Sequence, residues 1–155
     1  MSLERDLRAE QVARLDLSVF TTVASGASVA EVLGQMRKEG HGCALVTRAG
    51  QLVGIFTERD ALVKVVDRPE RWTASIDSVM TPRPCTVGPT DSVASALRLM
   101  NTGHYRNVPV VDAHGTIVGN LTHYALLRFL SDRFQQEIYN LPPDPDQVPR
   151  APEGA

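Results

Sequence analysis

No apolar run in this chain approaches the roughly 20 residues that a membrane-spanning helix needs. The first ten residues are charged and lack the apolar centre of a secretory signal, so a cytoplasmic protein with no membrane attachment is expected. A basic excess is also missing. The net charge is −2 and the arginines are scattered, which argues against a nucleic-acid partner. Cysteine is scarce: Cys43 and Cys85 have no CxxC partner and no histidine at ligand spacing, so no metal is expected and a reducing compartment fits. Catalytic patterns are absent too. There is no Walker loop and no Gly-x-Gly-x-x-Gly, and His41, His104, His114 and His123 share no motif. Glu58 and Asp60 are two apart at a helix start and do not face each other. No enzymatic activity is expected. What remains is ordinary globular composition, 43% hydrophobic and 22% charged over 155 residues, enough for one domain or two small halves sharing a core.

What the chain does have is an internal repeat. Ser28-Val-Ala-Glu-Val-Leu33 lies over Ser92-Val-Ala-Ser-Ala-Leu97, and Met36 over Met100, at an offset of 64. Gly50-Gln-Leu-Val-Gly54 lies over Gly115-Thr-Ile-Val-Gly119, and Thr57 over Thr122, at an offset of 65. Each repeat begins with a short β-rich run, Val19 to Val23 and then Cys85 to Val87. A helix follows. In the first repeat Ser28 caps it, Glu31 completes a capping box, and Val29, Val32, Leu33 and Met36 form one apolar stripe. Two apolar strands come next, Cys43 to Val46 and Leu52 to Phe56, then a second helix after Thr57. The second repeat matches, with a helix from Ser92 to Asn101, strands Val108 to Val111 and Ile117 to Leu121, and a helix from His123. This is an α/β (α+β) pattern, β-α-β-β-α twice. Two repeats are too few for a solenoid and predict a pair closed about a pseudo-twofold axis. The expected core holds Val32, Leu33, Leu45, Ile55, Leu97, Val110 and Ile117.

The predicted organisation is a lead-in over 1–15, repeats over 16–66 and 79–133, a linker over 67–78 and a tail over 134–155. Residues 4–14 read as helical, with Leu3, Leu7 and Val12 as anchors. The tail holds five prolines after Tyr139 and reads as unpacked or draped on the surface.

The chemistry concentrates in Gly54-Ile55-Phe56-Thr57-Glu58-Arg59-Asp60, where a strand gives way to a helix. Free amides and the helix dipole at such a junction favour an anion. Thr57 offers a hydroxyl there, and the Asp60 carboxylate suits the adjacent hydroxyls of a ribose. Gly54 would let backbone come close to a ligand. Thr-x-x-Asp is equally a helix N-cap with an acidic first turn, and the two roles can coexist.

The ordered motifs, taken twice over, resemble the CBS domain family across about residues 16–133. Val79-Met-Thr-Pro82 looks like the start of a second CBS repeat, Val108-Pro-Val-Val-Asp112 like the family's second strand, and Gly54 to Asp60 like its ribose-phosphate motif. The resemblance implies a disc-like regulatory pair with clefts for AMP, ADP, ATP, S-adenosylmethionine or NAD, signalling to an unknown partner. The alternative is a structural module that builds a dimer and has no physiological nucleotide. By resemblance, Thr57 would contact phosphate or ribose and Asp60 the ribose hydroxyls, with Thr81, Pro84 and Cys85 of the opposite repeat near the base. His41 stands where family members place a phosphate contact, though it also reads as a solvent-facing loop residue; Arg59 also reads as a solvated helix residue. In the second repeat Thr122 is kept, but Ala125 replaces the acid. Arg106 there offers a phosphate contact or a structural salt bridge. That cleft is expected to be weak, empty or used for something else. The resemblance further implies a homodimer through helices 28–39 and 92–101, with contributions from 58–66 and 123–133.

Overall fold

The computed structural model describes residues 2–139; the proline-rich tail expected to be unpacked lies outside them. The elements run α1 (Leu3–Ala9), β1 (Thr21–Ala24), α2 (Val29–Glu39), β2 (Cys43–Arg48), β3 (Gln51–Thr57), α3 (Glu58–Lys64), β4 (Thr81–Pro82), α4 (Val93–Gly103), β5 (Asn107–Val111), β6 (Ile117–Thr122) and α5 (His123–Tyr139). Local chemistry sets the repeated helices. The Ser28 hydroxyl accepts from Glu31 N, and the Glu31 carboxylate accepts from Ser28 N, closing the expected capping box. Ser92 caps α4 in the same way, accepting from Ser95 N. Both helices end on a left-handed residue: Gly40 at φ 71° and, at the matching place, His104 at φ 55°.

The first repeat forms a four-stranded sheet in the order β1-β2-β3-β4. β1 runs parallel to β2, and the other pairs are antiparallel. β4 comes from the segment leading into the second repeat. The second sheet has two strands, β5 and β6. The expected strand from Cys85 to Val87 is here a single parallel bridge, Val87 to Val110, standing where Val23 pairs with Val46 in the first sheet. Pro109 explains the loss. Val87 N donates to Pro109 O and Val111 N to Val87 O, but extending the ladder towards Cys85 would need an N–H that Pro109 lacks. β1 itself starts at Thr21 rather than Val19. The preceding backbone is turned to β6, where Leu17 O accepts from Asn120 N and Val19 O from Asn120 Nδ2.

Each repeat's lead-in packs on the other repeat. Ser75 bridges Ser28, Ala74 O accepts from Val29 N, and Ile76 N donates to Ala27 O. At matching places Gln11 bridges Ser92, Val12 N donates to Asp91 O, and Glu10 O accepts from Val93 N. The segment read as a linker therefore places Ile76 in the first repeat's core, where Val79 from the start of the second repeat joins it, and the N-terminal segment places Val12 in the second's. This exchange also corrects the helix expected over 4–14. α1 stops at Ala9 and one 3-10 turn covers Val12–Arg14, because Glu10 and Val12 spend their backbone groups on the start of α4. A third cluster joins the halves: Cys43, Leu45 and Ile55, with Phe20, Leu52 and Ile117 packed against them. Of the expected core, Val32, Leu45, Ile55 and Val110 are buried. Leu33, Leu97 and Ile117 are only partly buried, packing against the cores from their edges.

Candidate functional site

Thr57 ends β3 in extended backbone and caps α3. Its hydroxyl accepts from Asp60 N at 3.4 Å. Asp60 Oδ2 accepts from Thr57 N at 3.0 Å and from Thr57 Oγ1 at 3.1 Å. Asp60 Oδ1 lies 3.0 Å from Lys64 Nζ, which also donates to Val79 O. The capping role is thus realised, and the carboxylate is held firmly with its side chain 16% exposed. A carboxylate offers about four acceptor positions, and three are taken here, so a ribose hydroxyl finds roughly one place unless Thr57 or Lys64 yields.

The expectation of free amides at this junction is corrected in part, since only Arg59 N has no partner among the described residues. Thr57 N is bound by Asp60, Glu58 N by Gly42 O, and Asp60 N by Thr57. Gly54 also has a different reason from the one expected. A Cβ there would sit 2.3 Å from Met80 Sδ, so the space belongs to a side chain of the segment before β4 rather than to a ligand. Gly119 is matched in this, since its Cβ would meet Leu17 Cβ at 2.4 Å.

The remaining candidates are distributed as follows. Ile55 packs in the cluster between the repeats, and its backbone pairs with Thr81. Arg59 is exposed. Pro84 and Cys85 run on to the second repeat, where Cys85 Sγ lies 3.4 Å from Tyr105 Oη. His41 is half-buried rather than solvent-facing. Its Nδ1 lies 3.2 Å from Thr21 Oγ1 and 3.3 Å from Glu39 Oε2, and Thr21 Oγ1 donates to Glu39 at 2.6 Å. That bond from Thr21, with one from Gln35, holds the Glu39 carboxyl below its usual range. Nothing in the composition around Thr21 or Glu39 marks this cluster in the sequence. Cys43 is buried in the cluster between the repeats. Burial, with the Asp60 charge adding to it, pushes its thiol up to about 12, so it is an inert packing group.

In the second repeat, Thr122 is buried and accepts from Ala125 N, with no carboxylate to answer it. Arg106 is exposed, and its carbonyl accepts from His123 N, as Gly42 O does from Glu58 N. Arg106 makes no salt bridge among the described residues. Two surface hollows, one lined by Leu7, Arg8, Leu97 and Arg98 and one along Thr86–Thr90 and Val111–Ala113, include none of these candidates. Among the described residues no group of three His, Cys, Asp or Glu side chains could hold a metal ion, and no helix is long and apolar enough to cross a membrane.

Comparison with known proteins matches the CBS domain twice, over residues 12–67 and 76–132. The meiotically up-regulated gene 70 protein of Schizosaccharomyces pombe is 30% identical over 74% of this chain, which spans 16% of that relative. An uncharacterized protein of Methanopyrus kandleri is 30% identical over 80% of the chain and 63% of its own length. Among solved structures, a CBS-domain-containing protein of Agrobacterium tumefaciens is 28% identical with a TM-score of 0.65, covering 75% of this chain and 90% of its own. An uncharacterized conserved protein of Pyrococcus horikoshii shares the fold at a TM-score of 0.73 and 23% identity, covering 81% and 94%.

Proposed function

Because the chain belongs to the CBS-domain family, carrying two CBS domains in tandem, we propose that it is a regulatory module that binds an adenosine nucleotide and passes the signal to a partner protein. The carrying observation is the Thr57–Asp60 pair, a carboxylate held in place at the end of a strand whose neighbour, β4, comes from the other repeat. AMP, ADP and ATP are the ligands this chemistry suits best, with S-adenosylmethionine and NAD sharing the same adenosine. The protein acts by binding, not by catalysis.

A thermal-shift panel of these five compounds tests the reading. A ligand that binds only the native state at 100 times its Kd adds about 2.7 kcal/mol, which for a chain of this size raises Tm by about 5–10 °C. No shift with any of the five would favour the purely structural alternative.

The module is further proposed to work as a homodimer. Support comes from Leu62, Val63 and Val66 in and just after α3, and from Tyr124 and Leu127 on α5, all exposed. Leu62 and Leu127 hold matching places in the two repeats, and a C2 dimer could use both. By contrast, α2 and α4 show no exposed large apolar side chain, which shifts the proposed contact to α3 and α5. Light scattering at micromolar concentration should give twice the chain mass of 16.9 kDa; a species of 16.9 kDa alone would refute the dimer.

A further inference from the structure

Lys64 links the Thr57–Asp60 pair to the segment that crosses between the repeats. Its Nζ lies 3.0 Å from Asp60 Oδ1 and donates to Val79 O at 2.8 Å. Val79 is buried in the first core. The chain after it covers the sheet edge: Met80 fills the space over Gly54, Thr81 and Pro82 form β4 against β3, and Arg83 N donates to Val53 O at 3.1 Å. From there the chain enters the second repeat, where Val87 bridges Val110. The second repeat has no counterpart to this link. Ala125 stands in the place of Asp60 and Phe129 in that of Lys64, and both pack against the second core. The two ends of the pair are replaced together, because an ammonium set against a core needs its carboxylate.

The acceptor positions of Asp60 decide how a ribose meets this link. Oδ2 accepts from Thr57 N and Thr57 Oγ1, so both of its positions are taken. Oδ1 pairs with Lys64 and keeps one position for a ligand. One hydroxyl fits there, but two adjacent hydroxyls need a second position, and a present partner must leave. Thr57 cannot leave without opening the capping box and stranding its own N–H. Lys64 can, since its side chain is 34% exposed and its ammonium is readily hydrated. We propose that Lys64 carries the signal out of the first cleft: when both hydroxyls of a bound ribose take Asp60 Oδ1, the ammonium leaves the carboxylate and its hold on Val79 O slackens. Two partners place Nζ in the free protein. With the charged one gone, a flexible four-carbon stem and one bond to a neutral carbonyl remain. Met80 and β4 then move more freely against β3, and the change passes along the chain into the second repeat. The inference rests on the module binding a nucleotide through Asp60.

Amide hydrogen exchange of the full chain, followed by NMR, tests it at two reporters: Met80 N, which donates to Ile76 O, and Arg83 N, which donates to Val53 O. Wild type is measured free, saturated with AMP, and saturated with 2′-deoxy-AMP, which has a single ribose hydroxyl. Calorimetry sets the saturating concentration of each. AMP should speed exchange at both amides about three- to tenfold, the equivalent of losing roughly one hydrogen bond. The deoxy nucleotide should leave both rates as in the free protein. Lys64→Met should exchange fast at both amides without ligand, and saturating AMP should add nothing. If AMP binds wild type but the two amides slow or stay unchanged, or if both nucleotides speed them alike, the inference is overturned and the proposed function stands. If AMP does not bind wild type, both fall. The comparison of the two nucleotides decides the matter even where Lys64→Met folds poorly.

Discussion

Asp60→Ala is expected to weaken AMP binding at least tenfold. A hydrogen bond to a charged group contributes about 1.5–3 kcal/mol, and about 1.4 kcal/mol is already a factor of ten. The carboxylate that would meet the ribose is aimed by Thr57 and Lys64 before any ligand arrives, so little ordering remains to be done on binding. The same substitution opens the capping box of α3, which costs about 1 kcal/mol of fold stability and a few degrees of Tm. Melting of the free protein separates the two effects. Asp60→Asn should bind better than the alanine variant, since its amide oxygen still accepts, and a 2′-deoxy ligand should bind worse to wild type. Calorimetry with AMP decides the matter. If Asp60→Ala binds as tightly as wild type, Asp60 is a capping residue alone and the site assignment fails.

Ile76→Ala should be among the most damaging single substitutions in the fold, at about 2–5 kcal/mol. Ile76 has no exposed surface and packs in the first core, although it lies in the segment that leads into the second repeat. Its amide donates to Ala27 O at 2.7 Å, which anchors the segment beside the start of α2. Against a total of about 5–15 kcal/mol, the loss is severe, on the order of 10 °C in Tm. Glu70→Ala, exposed in the same segment, should stay within about 0.5 kcal/mol. Chemical denaturation of both variants makes the comparison. Equal, small effects would mean that 67–78 is a passive connector.

Those two residues show how far the chain could be read in advance. Asp60 was legible, since Thr-x-x-Asp after an apolar strand is a local signal and the matching Ala125 made the contrast visible. What the pattern left open was whether it caps or binds, and the structure displays the cap in full. Ile76 was not legible as core. It sits among prolines, serines and charged residues, and its role comes from contacts with residues about 50 positions away. Pro109 was legible only in part. Its place in a strand was clear, but its effect, shortening the parallel pairing at Val87, falls on a neighbour distant in sequence.

By itself, the sequence determined the doubled β-α-β-β-α order, the capped starts of α2 and α4 at Ser28 and Ser92, and the family. These features are written within a few residues or repeated at a constant offset, so local hydrogen bonding and apolar periodicity suffice to specify them. Only the tertiary structure decided that each lead-in crosses to the other repeat, that Met80 fills the space over Gly54, and that Asn120 is buried with its oxygen bare. Such outcomes depend on which surfaces meet, and a sheet edge or a buried amide finds its partner through space rather than along the chain.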